Sequence, residues 1–162
     1  MHIRLSTPAD LPRLLDIFAA ARRYMAATGN PNQWAPDYPG EARLLDDMAH
    51  GDSYVVCDDN DRPLATFVLR EGNDPTYDVI YDGHWLSQRP YATIHRIASS
   101  GEQRGIFDFV LRFALSRYDS IRIDTHRDNS TMLRAVERGG FTYCGVIHCW
   151  NGDERLAFQL DK

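Results

Sequence analysis

The sequence predicts an α/β fold (α+β by some schemes): a mixed, twisted central sheet of about seven strands with helices on both faces. Two observations carry the prediction. Stretches of apolar alternation are interspersed with stretches of helical periodicity, in the order β-α-α-β-β-β-α-β-α-β-β. Both ends of the chain read as antiparallel strands, while two strand-to-helix units in the middle require a parallel pair.

HIRLS at residues 2–6 alternates as a half-buried strand does. In TPAD, Thr7 is placed as an N-cap, Pro8 at the first helical position and Asp10 reaching back. Leu11, Leu14, Leu15 and Phe18 then recur at helical spacing, and the helix runs to about Ala26. TGNPNQWAPDYPG cannot continue it. A second helix near 41–49 turns Leu44, Leu45 and Met48 inward. SYVVCDDNDRPLATFVLREG is a hairpin with arms near 53–57 and 63–70. Residues 72–90 lack clean periodicity and read as an ordered excursion. YATIHRIAS is a strand, and after SGEQRG a helix carries Phe107, Val110, Leu111 and Ala114 on one face. SIRIDTH is another strand, and Asn129 opens a helix bearing Met132, Leu133 and Val136 that Gly139 and Gly140 stop in a left-handed turn. FTYCGVIHCWNGDERLAFQL closes as two strands around NGD.

With 162 residues, 43% hydrophobic and 25% charged, one domain spanning 1–162 with a full core is expected. The net charge of -5 gives no general electrostatic reason to bind nucleic acid or an anionic membrane. No apolar run approaches the roughly 18 residues of a membrane span, and MHIRLSTPADLP lacks a signal-peptide core, so a cytoplasmic location is expected. Cys57, Cys144 and Cys149 lack CxxC spacing and the histidines are scattered, so neither a disulfide framework nor a metal is indicated. The C-terminal strands offer an edge through which two copies could pair as a homodimer.

In IASSGEQRGIFDFVLRFAL a strand enters a glycine-containing turn that leads directly into a helix, gathering unpaired backbone N–H groups at one spot. Gly101 and Gly105 let backbone approach a ligand, and Arg104 adds a positive charge. The same segment reads equally as an ordinary loop. One βα unit later, THRDN places Asn129 either as a plain N-cap or as a cap that also hydrogen-bonds a ligand.

HRIASSGEQRGIFDFVLRFAL, RIDTHRDNSTMLRAVERGGFTYCG and the closing DERLAF together resemble the GNAT superfamily of acyl-CoA-dependent N-acetyltransferases, over nearly the whole chain. The resemblance implies acetyl-CoA as acyl donor, its diphosphate on the N–H groups at 101–106, which include Gly101, Gln103, Arg104, Gly105 and Ile106. Its pantetheine arm would run along Ile97, Ala98 and Ser99, where a backbone N–H polarises the thioester carbonyl, and Asn129 would bind the arm. A primary amine, of a small molecule or exposed on a protein, would attack the thioester directly. Three departures from the family pattern stand out. Glu102 brings negative charge to the loop, Phe107 stands where a small residue is usual, and Val136 replaces a tyrosine that often serves as general acid.

For the base, His95 lies two residues before Ile97 and has the chemistry for neutral pH. Asp124 and His126 share a face of the next strand and could form a relay, or Asp124 could pair with Arg122 or Arg96. Glu71 is a further carboxylate near the expected cleft. Tyr143 is a candidate proton donor to the leaving sulfur. Trp34, Tyr38, Tyr77, Tyr81 and Trp85 lie in the two irregular stretches and suggest an aromatic-walled amine pocket. Two other functions remain open: a non-catalytic acyl-CoA sensor on the same scaffold, motivated by Phe107, Glu102 and Val136, and a plain interaction domain.

Overall fold

Seven strands and four helices form in the predicted order, β1 (His2–Leu5), α1 (Leu11–Ala27), α2 (Glu41–Ala49), β2 (Ser53–Cys57), β3 (Pro63–Glu71), β4 (Ala92–Ser99), α3 (Ile106–Leu115), β5 (Ser120–Thr125), α4 (Ser130–Arg138), β6 (Thr142–His148) and β7 (Glu154–Asp161). This computed structural model describes all residues, 1–162. The strands make one sheet in the order β1-β2-β3-β4-β5-β7-β6. β1, β2 and β3 pair antiparallel, as do β5, β7 and β6. β4 and β5 are the parallel pair, with Ala92 opposite Ile121 and Thr93 opposite Arg122. No helix is long and apolar enough to cross a membrane.

The chain packs as two compact units. The first comprises Met1–Leu69 and His95–Ile106, the second Arg70–Ile94 and Phe107–Lys162. In the first, Leu14, Ile17 and Phe18 of α1 are buried with Leu44, Val55, Cys57 and Ala98; burying each large side chain contributes about 2 kcal/mol. The turn before α1 is local chemistry: the Thr7 N–H donates to Asp10 Oδ2 at 2.8 Å, and Arg4 grips the same carboxylate at 2.8 and 3.0 Å. Pro8–Asp10 is a 3-10 turn, so the α-helix proper begins at Leu11. On α2 the expectation for Leu45 fails. Leu44 is buried and Met48 packs against the same core, but Leu45 is exposed and Asp47 turns inward instead. Asp47 lies on the inward side because a cation waits there.

In the second unit, α3 buries Phe107, Val110, Leu111 and Ala114 as its periodicity requires. α4 ends at Gly139, which is not left-handed (φ -71); only Gly140 is, at φ 84. Gly139 serves close packing instead, since a Cβ there would stand 2.9 Å from Leu111 Cδ2 and 3.3 Å from Phe107 Cε1. Residues 72–91 are ordered, as expected. They hold a 3-10 turn at Pro75–Tyr77 and a bridge from Tyr81 to Val146 of β6, and they bury Tyr77, Trp85 and Tyr91 with Cys144, Ile147 and Ala157. Gln159 of β7 anchors the stretch by accepting the Leu86 N–H at 3.0 Å.

Candidate functional site

β4 does not simply alternate. Arg96 has φ 48, a left-handed conformation inside a strand, which costs an L-residue about 1–2 kcal/mol and persists only where surroundings enforce it. Here a two-point clamp enforces it. Arg96 Nε and Nη2 donate to the two oxygens of Asp47 at 2.9 and 2.6 Å, and Nη1 donates to the Tyr38 hydroxyl at 3.2 Å. Both charges are buried, with side chains 11% and 1% exposed. Burial works against the Arg96 charge, but Tyr38 and Asp47 outweigh it and leave its pKa above the ordinary value. The clamp inverts the strand ahead of Ile97, Ala98 and Ser99. Ala98 then packs on the α1 core while Ile97 and Ser99 are half-buried.

Beyond Ser99 the chain makes the expected glycine turn. Gly101 (φ 84) and Gly105 (φ 77) are both left-handed, and a Cβ on either would meet nothing within 4 Å. Gln103 and Arg104 between them are exposed, and Ile106 begins α3 as a buried residue. The Gly101 N–H donates to Ser99 Oγ at 3.1 Å and the Glu102 N–H to Ser100 Oγ at 3.3 Å. Glu102, the residue of the wrong sign for a diphosphate, is neutralised. Arg62 grips its carboxylate at 2.7 and 3.0 Å and Arg13 adds a bond at 3.1 Å. These partners, Arg62 first, hold its pKa below the usual carboxylate range. The loop therefore presents open space over two glycines, exposed Arg104 and an acid already paired, a cradle that fits a diphosphate.

The other predicted residues fall as follows. His95 is half-buried on β4, one residue before the inversion. Tyr38 is bound to the clamp, and Trp34 packs between Phe18 and Tyr38 with ring centroids 5.7 and 6.1 Å away. In the second unit, Asp124 pairs with neither Arg122 nor Arg96; it accepts the Tyr77 hydroxyl at 2.6 Å. Tyr77 is fully buried, and desolvation, then Asp124, push its pKa well up, so it remains a donor. Trp85 donates its Nε1–H to the Tyr77 carbonyl at 2.9 Å. Tyr143 is exposed on β6, edge-on to Phe158. Asn129 is the N-cap of α4, accepting the Met132 N–H at 3.0 Å. Phe107 is buried with its ring 6.4 Å from that of Phe141 and against Gly139.

Asp47 and Tyr91 escaped the sequence reading, and Arg96 and Arg122 entered it only as possible partners of Asp124. Two left a signal. Asp47 lies three positions after Leu44 on a helix face, and Arg122 lies between Ile121 and Ile123 in a strand. A charge at an inward position demands a partner or a task.

No family model matches the sequence, and no curated protein matches it. Solved structures do. A GNAT-family acetyltransferase from Streptococcus agalactiae 2603 is 31% identical, with a TM-score of 0.87 over 99% of this chain and 95% of that one. One from Listeria monocytogenes 4b F2365 is 19% identical, TM-score 0.73, over 99% and 94%. A GNAT-superfamily phosphinothricin acetyltransferase from Sinorhizobium meliloti, solved in complex with AcCoA, is 16% identical, TM-score 0.64, over 99% and 87%. The last two share the fold. The first, with its identity and coverage, shows more: the chain belongs to the GNAT family of acetyltransferases.

Proposed function

We propose that the chain transfers an acetyl group from acetyl-CoA to an amine of a small molecule or an exposed protein amine. The observation that carries this reading is the inversion of β4 at Arg96, maintained against its strain by a buried ion pair. An ordinary sheet has no use for such a device, whereas acyl transfer needs a fixed N–H dipole turned out of the ladder. The S. meliloti neighbour that was solved with AcCoA supports the choice of donor.

Acetyl-CoA supplies a thioester, whose C–S bond breaks as the C–N bond to the amine forms, the electron pair leaving on sulfur. The amides of Ile97, Ala98 and Ser99 orient and polarise its carbonyl. Amides from Gln103 to Ile106, with Arg104, hold the diphosphate, those of Gly101 and Glu102 being taken by Ser99 and Ser100, and Arg13 and Arg62 silence Glu102. Asn129 binds the pantetheine arm. A ring nitrogen of His95 takes the proton from the incoming amine, with Asp124 the second candidate acceptor. The Tyr143 hydroxyl returns a proton to sulfur. Trp34 and Tyr38, beside the clamp, border the path of the amine.

Titration calorimetry with acetyl-CoA, followed by thiol release over an amine panel, tests the reading. Gly105→Asp places a carboxylate in the open space above the turn and lowers acetyl-CoA affinity at least tenfold; unchanged affinity removes the diphosphate from this loop. His95→Gln lowers turnover by roughly 10²–10⁴ while acetyl-CoA still binds. Tight binding with no turnover on any amine favours the sensor.

A further inference from the structure

The second unit contains a cavity of about 520 Å³ whose walls include Tyr77, Trp85, Tyr91, Arg122, Glu71 and Asp78. Arg122 is only 3% exposed. Its guanidinium carbon sits 4.0 Å from the ring centroids of both Trp85 and Tyr91. Nη2 donates to the Ser87 carbonyl at 2.8 Å, Nε is buried without a partner, and no carboxylate pairs with the group. Burial accordingly pulls its pKa down, against the opposing influence of Tyr91. A guanidinium taken from water without a counter-charge is strongly unfavourable, and desolvated cation–π contacts recover only part of that loss. The group is tolerated there, still short of an anion.

This arrangement reverses what the aromatic residues suggested. The faces of Trp85 and Tyr91 already stack on a cation belonging to the protein, so they do not cage the ammonium of a ligand. The cavity offers instead a planar guanidinium that lacks a counter-charge and has one donor, Nε, unpartnered, a group whose fork receives a carboxylate through two parallel hydrogen bonds. Exposed Glu71 and Asp78 on the same walls suit an ammonium. We infer that this cavity binds a small molecule of the amino-acid class, its carboxylate on Arg122 and its ammonium toward Glu71 and Asp78. Its role as the acetyl acceptor rests on the proposed transfer activity; the binding itself does not.

The test uses the whole chain without acetyl-CoA. The common α-amino acids are screened by thermal shift, and those that bind are titrated by calorimetry beside their amides and their decarboxylated amines. At least one amino acid binds, and its amide and amine bind at least tenfold more weakly. Arg122→Met abolishes the binding. Gln88→Glu, an exposed change on the cavity wall, weakens it about tenfold by like-charge repulsion while leaving Arg122 in place, and serves should the first variant not fold. Equal affinity for acid, amide and amine overturns the inference, as does no binding at about 10 mM, where even a millimolar site would be mostly filled. An undiminished affinity in Gln88→Glu overturns it too. A protein that binds amino acids yet never releases thiol sinks the transfer reading alone. One that acetylates acid-free amines but binds no amino acid sinks this one alone.

Discussion

Asp47→Asn is the most informative single change, because it keeps the volume of the side chain and removes only its charge. Asp47 is buried and Arg96 nearly so, joined by two hydrogen bonds of 2.9 and 2.6 Å. Neither charge is screened by solvent, so breaking the pair strands a buried guanidinium, a loss of about 3–5 kcal/mol. At roughly 2–4 °C per kcal/mol for a chain of this length, the melting temperature falls by about 10 °C. Urea denaturation followed by circular dichroism measures the free energy directly. Removing the clamp also lets Arg96 leave its left-handed conformation, so the amides of Ile97 to Ser99 lose their fixed direction. If the proposed transfer is right, turnover then drops about tenfold or more, while acetyl-CoA affinity, which that proposal assigns to the glycine turn, stays within a few fold. The paired replacement of Asp47 by Leu and Arg96 by Met recovers most of the stability and none of the turnover. An Asp47→Asn protein within about 1 kcal/mol of wild type would refute the claim that this pair enforces the inversion at Arg96.

Two further outcomes follow from the pKa directions. Arg4 hydrogen bonds, against a smaller opposing effect of burial, lower the pKa of Asp10. A carboxyl depressed in the folded state contributes fully above its unfolded pKa of about 4 and loses that contribution as pH falls through the lower native value. Urea midpoints should therefore hold down to about pH 4 and fall below it, and Asp10→Asn should be less stable at pH 7 with a shallower acid decline; an unchanged acid decline would remove Asp10 from the explanation. Burial pushes the Cys57 thiol up to about 11 and raises Cys144 and Cys149 as well. A disulfide reagent at pH 8 should label none of the three within minutes in the folded protein and all three in denaturant. Rapid labelling of Cys57 in the folded protein would contradict its burial.

What could be read without coordinates was local. TPAD fixes the start of α1 because Thr7 and Asp10 answer each other within one turn, and Asn129 caps α4 for the same reason. Leu14 and Phe18 face the core, with Leu11 and Leu15 partly buried beside them, because helical periodicity leaves them no other side to face. The glycine turn at 101–105 was legible because positive φ is written in the residue type. Apart from Gly139, which serves close packing, the exceptions involve charge. Leu45 was expected inside, and Asp47 lies there because its partner sits on a strand 49 positions later. The inversion at Arg96 follows from that distant clamp, so the alternating pattern of β4 gave no warning of it. Likewise Tyr77 and Trp85 announce an aromatic wall, but only the fold reveals that Arg122 already lies against Trp85 and Tyr91.

The chain by itself determined its elements, their order and its buried apolar faces, since propensity, capping and periodicity act between near neighbours. Only the tertiary structure decided which buried charges are matched and which is left wanting an anion, because a charge removed from water is stabilised by whatever group the fold brings within a few ångströms, however far away it lies in sequence.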